Sequence, residues 1–139
     1  MSNNKQSSVD KEFVPLEESS ALKKLGFNEP CFRYIYIGSL AINEDIYLEV
    51  EPSKARNYNV DNLSISQPTY SQAFRWFREK YGIFNPQRLI FETLGGKYGL
   101  QSHDEHDQVD GYYDTYEEAE LACLRRLIEI VNKNNNEQQ

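Results

Sequence analysis

The sequence is poor in the residues on which most site chemistry is built. Of its 139 residues two are histidine, two are cysteine and one is tryptophan. His103 and His106 share one polar stretch, which gives no support to a buried Ser/His/Asp or Cys/His arrangement. Cys31 and Cys123 each stand in an apolar stretch and form no CxxC, so they read as small buried hydrophobes of a reducing compartment. No GxGxxG, P-loop or GxSxG is present. No apolar run approaches the ~20 residues a membrane-spanning helix needs. The opening "MSNNKQSSVD" lacks the apolar core of a signal peptide, so a cytoplasmic place is expected. Basic residues are also scarce: 15 Lys and Arg stand against 22 Asp and Glu, a net charge of −7. That balance disfavours nonspecific binding to nucleic acid or to an anionic membrane, both of which need a cationic surface.

What the chain does have is aromatic side chains. Ten Tyr, seven Phe and one Trp bring it to 13% aromatic. Tyrosine joins a large apolar ring to a polar tip and suits half-buried cores and interfaces. Residues 1–12 and 132–139 are polar and aperiodic and are expected to be disordered tails. Residues 13–131 are read as a single domain.

Within it, "PLEESSALKKLGF" reads as a first helix, with Pro15 at its start, acids in its first turn, lysines in its last and Gly26 as a stop. "CFRYIYIG" alternates with a period of two. Phe32, Tyr34 and Tyr36 fall on one face; Cys31, Arg33, Ile35 and Ile37 fall on the other. "DIYLEV" alternates again and predicts the second strand of a hairpin. Residues 51–67 carry few apolar anchors and read as a long loop. "QRLIFETL" and "KYGLQ" predict two more strands joined through Gly95-Gly96. The expectation is an α+β domain with an antiparallel sheet of about four strands packed by helices, in the order α-ββ-α-ββ-α.

Two helix starts echo each other. Thr69-x-x-Gln72 and Thr115-x-x-Glu118 both fit a capping box, and each is followed by Tyr and Ala at matching positions. The echo is either a helix-start device met twice or a trace of two duplicated ββα units. In the first of these helices Tyr70, Ala73, Phe74, Phe77 and Tyr81 form the core stripe at ~100° per residue. Trp76 falls off that stripe, with Arg75 and Lys80 beyond its edges. It is either covered by another element or presented to a partner. In the last helix Tyr116, Ala119, Cys123, Leu127 and Ile130 form a stripe that Leu121, Leu124, Ile128 and Val131 widen. Such a helix needs two neighbours or a subunit interface, so a homodimer is compatible with it. Trp76, Arg75 and Lys80 are taken as partner-binding residues, with Tyr34, Tyr36 and Tyr47 of the first hairpin as the second group.

The sharpest metal candidate is "HDEHDQVDG", residues 103–111, with both histidines and four acids. Its spacing matches no zincin or EF-hand pattern and all its groups sit in one stretch. It reads as a solvated acidic loop, so no metal and no cofactor is expected.

The segments "ALKKLGFNEPCF", "SQPTYSQAFRWFREKYGI" and "YDTYEEAELACLRRLIEIV" carry a resemblance. The chain is similar to a family of small phage and prophage proteins that share a Pro-Thr-Tyr-x-Gln-Ala-x-x-Trp-Phe-Arg-Glu-Lys-x-Gly segment and a later Thr-Tyr-Glu-Glu-Ala segment. Here these are Pro68, Thr69, Tyr70, Gln72, Ala73, Trp76, Phe77, Arg78, Glu79, Lys80 and Gly82, then Thr115 to Ala119. The resemblance carries no catalytic residues and implies a context: a mobile element in a bacterial host cell. It implies a non-enzymatic accessory protein that binds a host protein or ribonucleoprotein, as an anti-CRISPR-like inhibitor of a nucleic-acid-handling defence complex. The alternative is a binder of a small ligand, a nucleotide signal or a divalent metal.

Overall fold

The computed structural model describes residues 10–38, 46–83, 89–102 and 108–137. The chain divides into two compact units, residues 1–72 and 73–139, and the division falls inside a helix. Each unit has its own antiparallel sheet of three strands, where the sequence predicts about four strands in one sheet. The observed order is α-βββ-α-βββ-α.

The first unit opens with a 3-10 turn, Asp10–Glu12, inside the stretch expected to be a tail. Helix α1, Leu16–Lys24, follows Pro15, whose extended backbone leads into the first turn. Glu17 and Glu18 lie in that turn, and Lys23 and Lys24 in the last, each sign at the helix end that favours it. The helix ends in a Schellman motif: Phe27 N–H donates to Leu22 O at 3.0 Å and Gly26 N–H to Lys23 O at 3.0 Å. Gly26 takes φ of 95°, which a side chain would resist.

Strands β1 (Arg33–Tyr36), β2 (Ile46–Glu49) and β3 (Ser64–Ser66) pair in the order β2-β1-β3. Ile35 faces Tyr47 on one side and Ile65 on the other, so these three share a face. Ile35 and Ile65 are buried there, and α1 packs against β3. Tyr34 lies between Leu48 and Ser66 on the opposite face.

The segment read as a long loop therefore contains a strand. Its remainder is tied down by hydrogen bonds. Tyr58 N–H donates to Ser66 Oγ at 2.8 Å, Ser66 N–H to Asn59 Oδ1 at 2.8 Å, and Asn59 Nδ2 to Phe27 O at 3.0 Å. Lys23 Nζ donates to the carbonyls of Asp61 and Ser64.

Helix α2, Tyr70–Tyr81, carries the division between the units after Gln72. Its expected capping box is present. Gln72 N–H donates to Thr69 Oγ1 at 3.2 Å, and Thr69 N–H donates to Gln72 Oε1 at 3.0 Å. Gln72 Nε2 also reaches Pro30 O at 3.0 Å.

In the second unit β4 (Ile90–Glu92), β5 (Tyr98–Gln101) and β6 (Val109–Tyr113) form a meander, β4-β5-β6. Val109, Asp110 and Gly111, placed by the sequence reading in an acidic loop, belong to β6. The β5–β6 register shifts between Leu100 and Gln101, which leaves Asp110 as the extra residue of a bulge. Helix α3, Tyr116–Glu137, packs across all three strands and buries Ala119, Cys123, Leu124, Leu127, Ile128 and Val131. Its start uses Thr115 Oγ1, which accepts from Glu118 N–H at 3.1 Å. The helix continues to Glu137, through residues expected to be a disordered tail. Once the buried stripe has formed the helix, each added residue gains one hydrogen bond without a new nucleation cost. Asn134 and Asn135 also border a small hollow with Tyr81, Ile83 and Val131.

Candidate functional site

Of the residues expected to meet a partner, Trp76, Arg75 and Lys80 belong to the second unit and Tyr34, Tyr36 and Tyr47 to the first. Trp76 is 4% exposed. Its ring meets the edges of Phe77 and Tyr81 at centroid distances of 5.2 and 5.4 Å. The physical reason lies on the helical wheel: Trp76 is ~60° from Ala73, which borders the core stripe. Arg75 and Lys80 are at the surface, and Lys80 Nζ sits 5.1 Å from the Trp76 ring centroid, a cation–π contact at the rim of a buried ring.

The tyrosines of the first hairpin are split by register. Tyr34 and Tyr36 lie on one face of the sheet, and Tyr47, opposite Ile35, lies on the other. Tyr34 is also stacked on Tyr58 with centroids 4.0 Å apart, so that face of its ring is already used. Tyr47 is 51% exposed.

The face that carries Tyr47 holds a cavity of about 390 Å³, bordered by Asp10, Phe13, Pro15, Leu16, Arg33, Tyr47 and Gln67. Arg33 is its centre. Glu49 stands opposite Arg33 on β2, and Gln67 N–H donates to Arg33 O at 2.9 Å on the β3 side, so the three side chains form one row across the sheet. Arg33 Nη2 donates to Asp10 Oδ1 at 2.6 Å, and its guanidinium lies 4.5 Å from the Phe13 ring centroid. Arg33 Nε is 3.1 Å from Glu49 Oε1, an ion pair between neighbouring strands. Gln67 is 6% exposed. Its Nε2 donates to Val14 O at 3.0 Å, which fixes the orientation of the amide, and its Oε1 has no donor among the described residues.

Arg33 and Gln67 thus both border the cavity, the first with its guanidinium paired to Asp10 and Glu49. The sequence offered a cue: Arg33 shares the β1 face of Ile35, and a charge on an apolar face needs partners. Asp10, Phe13 and Gln67 gave no comparable signal, since each is recruited from outside the strand.

In the second unit one sheet face points away from α3. Phe91, Gly99 and Tyr112 form a row across β4, β5 and β6, with the Gln101–Val109 pair beside it. Phe91 is 38% and Tyr112 60% exposed, and their rings meet edge to face at 6.4 Å. A Cβ on Gly99 would lie 2.2 Å from Phe91 Cζ, so the glycine makes room for the ring. On the α3 side a hollow of about 530 Å³ is bordered by Leu100, Asp110, Leu121 and Arg126 among others. Its Arg126 is engaged by Asp110 at 3.7 Å and Glu129 at 3.1 Å.

Neither cysteine is placed as a nucleophile. Burial pushes both thiols, Cys31 and Cys123, up to about 12, away from the thiolate form. The histidine-rich stretch, residues 103–107, lies outside the described residues. Among the described residues no group of three or more His, Cys, Asp or Glu is placed to hold a metal ion, and no helix is long and apolar enough to cross a membrane. Compared with protein-family models, curated proteins and solved structures, the chain matches none significantly.

Proposed function

We propose that the chain is a non-catalytic accessory protein of a mobile element that binds a nucleic-acid-handling protein complex of its bacterial host, in the manner of an anti-CRISPR-like inhibitor. The observation that carries the reading is the outward face of the second sheet. Among the described residues Phe91, Tyr112 and Val109 present exposed apolar side chains, and contiguous exposed apolar surface is the mark of an interaction site. The occupant it fits is a basic protein. The net charge of −7 opposes nucleic acid itself and favours the cationic surfaces of proteins that handle it. The phage-family resemblance supplies the host context.

The binding group moves from Trp76 to this sheet face. The test is capture from nuclease-treated host lysate by tagged wild-type chain and by the Phe91→Ala/Tyr112→Ala double variant, across a salt series. The reading expects one identified nucleic-acid-handling complex, released as salt rises and lost with the double variant. Equal capture by both proteins, or capture indifferent to salt, overturns it.

A further inference from the structure

We propose that the outer edge of β2, in the first unit, is a docking site for an extended segment of a partner protein in which basic and apolar residues alternate. The proposal stands apart from the partner-binding reading, because it uses a different unit and different residues.

Hydrogen-bond parity shows where β2 is open. In an antiparallel ladder, opposed residues alternate between pairs that exchange backbone hydrogen bonds and pairs that do not. Val50 N–H donates to Phe32 O at 2.8 Å, so Val50 aims its backbone at β1. Two and four residues back along the register, Leu48 and Ile46 do the same, opposite Tyr34 and Tyr36. Tyr47 and Glu49 fall between them, so their N–H and C=O groups point away from β1. The far side of β1 keeps the same phase, since Arg33 O and Ile37 N–H are bonded toward β3 and its ends. β2 stands last in the sheet order, and among the described residues no strand pairs with its outer side.

Sheets blunt an open edge with lysine, proline, a bulge or a covering element. Within Ile46–Glu49 there is no lysine or proline, and the register with β1 runs unbroken. Tyr47 and Leu48 are 51% and 37% exposed. An extended chain added here meets two donors and two acceptors on Tyr47 and Glu49, the mode in which main-chain bonds supply affinity and alternate side chains supply choice.

The side chains of β2 make that choice. Tyr47 and Glu49 share one face, and Leu48 lies on the other. Glu49, paired to Arg33, keeps 55% of its side chain exposed. A lysine or arginine of the added strand lays its stem along the Tyr47 ring and its charge beside Glu49. Its next residue stands beside Leu48 and is apolar. The sequence from residue 44 to residue 51 holds four acids and no Lys or Arg, which draws a basic segment and opposes a second copy of the same edge.

The test follows the backbone amides of the full chain by NMR. In the free chain Tyr47 and Glu49 amides should exchange with deuterium faster than those of Leu48 and Val50. The probes are acetylated, amidated peptides. Lys-Val-Lys-Val-Lys-Val-Lys should give saturable shifts at Tyr47, Leu48 and Glu49 and slow the exchange of Tyr47 and Glu49. Lys-Lys-Lys-Val-Val-Val-Lys keeps the charge and loses the alternation. It should bind at least about tenfold more weakly, as should the alternating peptide N-methylated throughout. Tyr47→Pro removes an outward N–H and no ladder bond, and should weaken binding at least about tenfold beyond Tyr47→Ala. Should that variant fail to fold, the N-methylated peptide decides the same point on the wild-type chain. Slow exchange of Tyr47 and Glu49 in the free chain, no shifts with the alternating peptide up to millimolar concentration, or equal binding of either control peptide would each overturn the proposal. So would a dimer in light scattering that Tyr47→Pro dissolves, since a second copy would then hold the edge.

Discussion

Replacing Trp76 by alanine should cost the protein stability. The side chain is 4% exposed and packed against Phe77 and Tyr81, so truncation removes a buried indole and leaves a cavity. Losses of this kind run to about 3–5 kcal/mol. For a chain of this size that corresponds to a fall of ~10–20 °C in melting temperature. Lys80 adds a smaller contribution, since a cation–π contact made by an exposed lysine is worth about 0.5–1 kcal/mol. The melt is to be followed by far-ultraviolet circular dichroism. If the two units unfold in separate transitions, only one of them should move.

A second readout needs no mutation, because Trp76 is the single tryptophan of the chain. Its native emission should be blue-shifted and protected from acrylamide, and both properties should vanish in urea. Solvent-like native emission with full quencher access, together with a W76A melt within ~1 kcal/mol of wild type, would refute the reasoning. It would also return Trp76 to the surface as a partner-binding ring.

The remaining expectations can be tested with the same equipment. Thr69→Ala and Thr115→Ala should each cost roughly 0.5–2 kcal/mol in urea unfolding, with Thr69 the larger, because its box is reciprocal and its Gln72 also holds Pro30 O. Equal and negligible losses would contradict the caps. Gly99→Val should displace the Phe91 ring and destabilise the second unit, whereas Gly99→Val combined with Phe91→Ala should recover part of the loss; purely additive losses would remove the steric account. Neither cysteine should react with a thiol reagent at pH 8 until the chain is unfolded, and fast native labelling of either would oppose its burial. The pH dependence follows in sign. Both thiols titrate higher in the folded chain, near 12, than their ordinary 9.0, so the unfolded chain gives up those protons first as pH rises. Their contribution is complete below pH 9.0 and is lost toward pH 12, and stability that climbs over this range in C31A/C123A relative to wild type would bear this out, while parallel curves would contradict it.

The elements that the sequence made legible are those with strong local signals. Helix α1 had its proline entry, paired charges and glycine stop; β1 and β2 had alternation; β4 and β5 had a glycine turn between them. The two strands that escaped notice had none of these. In β3, Ser64-Ile65-Ser66, one apolar residue is too little for a period, and the strand exists because β1 offers it an edge and Asn59 and Tyr58 tie it down. In β6, Asp110 and Gly111 are poor strand formers, and the bulge breaks the alternation that Val109, Tyr112 and Tyr113 would otherwise show. The cavity was hidden for a related reason. Its residues come from the 3-10 turn, the entry to α1, β1, β2 and the residue after β3, and no periodicity within one segment reports such a meeting. Arg33, a charge among apolar neighbours, is the one available signal, and the sequence reading takes it only as part of the strand alternation.

The same contrast decides what the repeated Thr-Tyr-x-x-Ala means. A duplicated unit keeps its strand order, since the order follows from which strand each connection returns to. In the first sheet the earliest strand, β1, is central and both later strands flank it; in the second sheet the middle strand, β5, is central and the three run as a meander. The helices that follow are used differently too. Tyr70 is buried, whereas Tyr116 at the matching position is exposed with its ring edge on Tyr98. What the two segments share is the threonine cap and a buried alanine four residues on. Both are common needs of a helix start with one buried side, so the echo records a common physical requirement, met at Thr69 with a reciprocal glutamine and at Thr115 with the hydroxyl alone among the hydrogen bonds described.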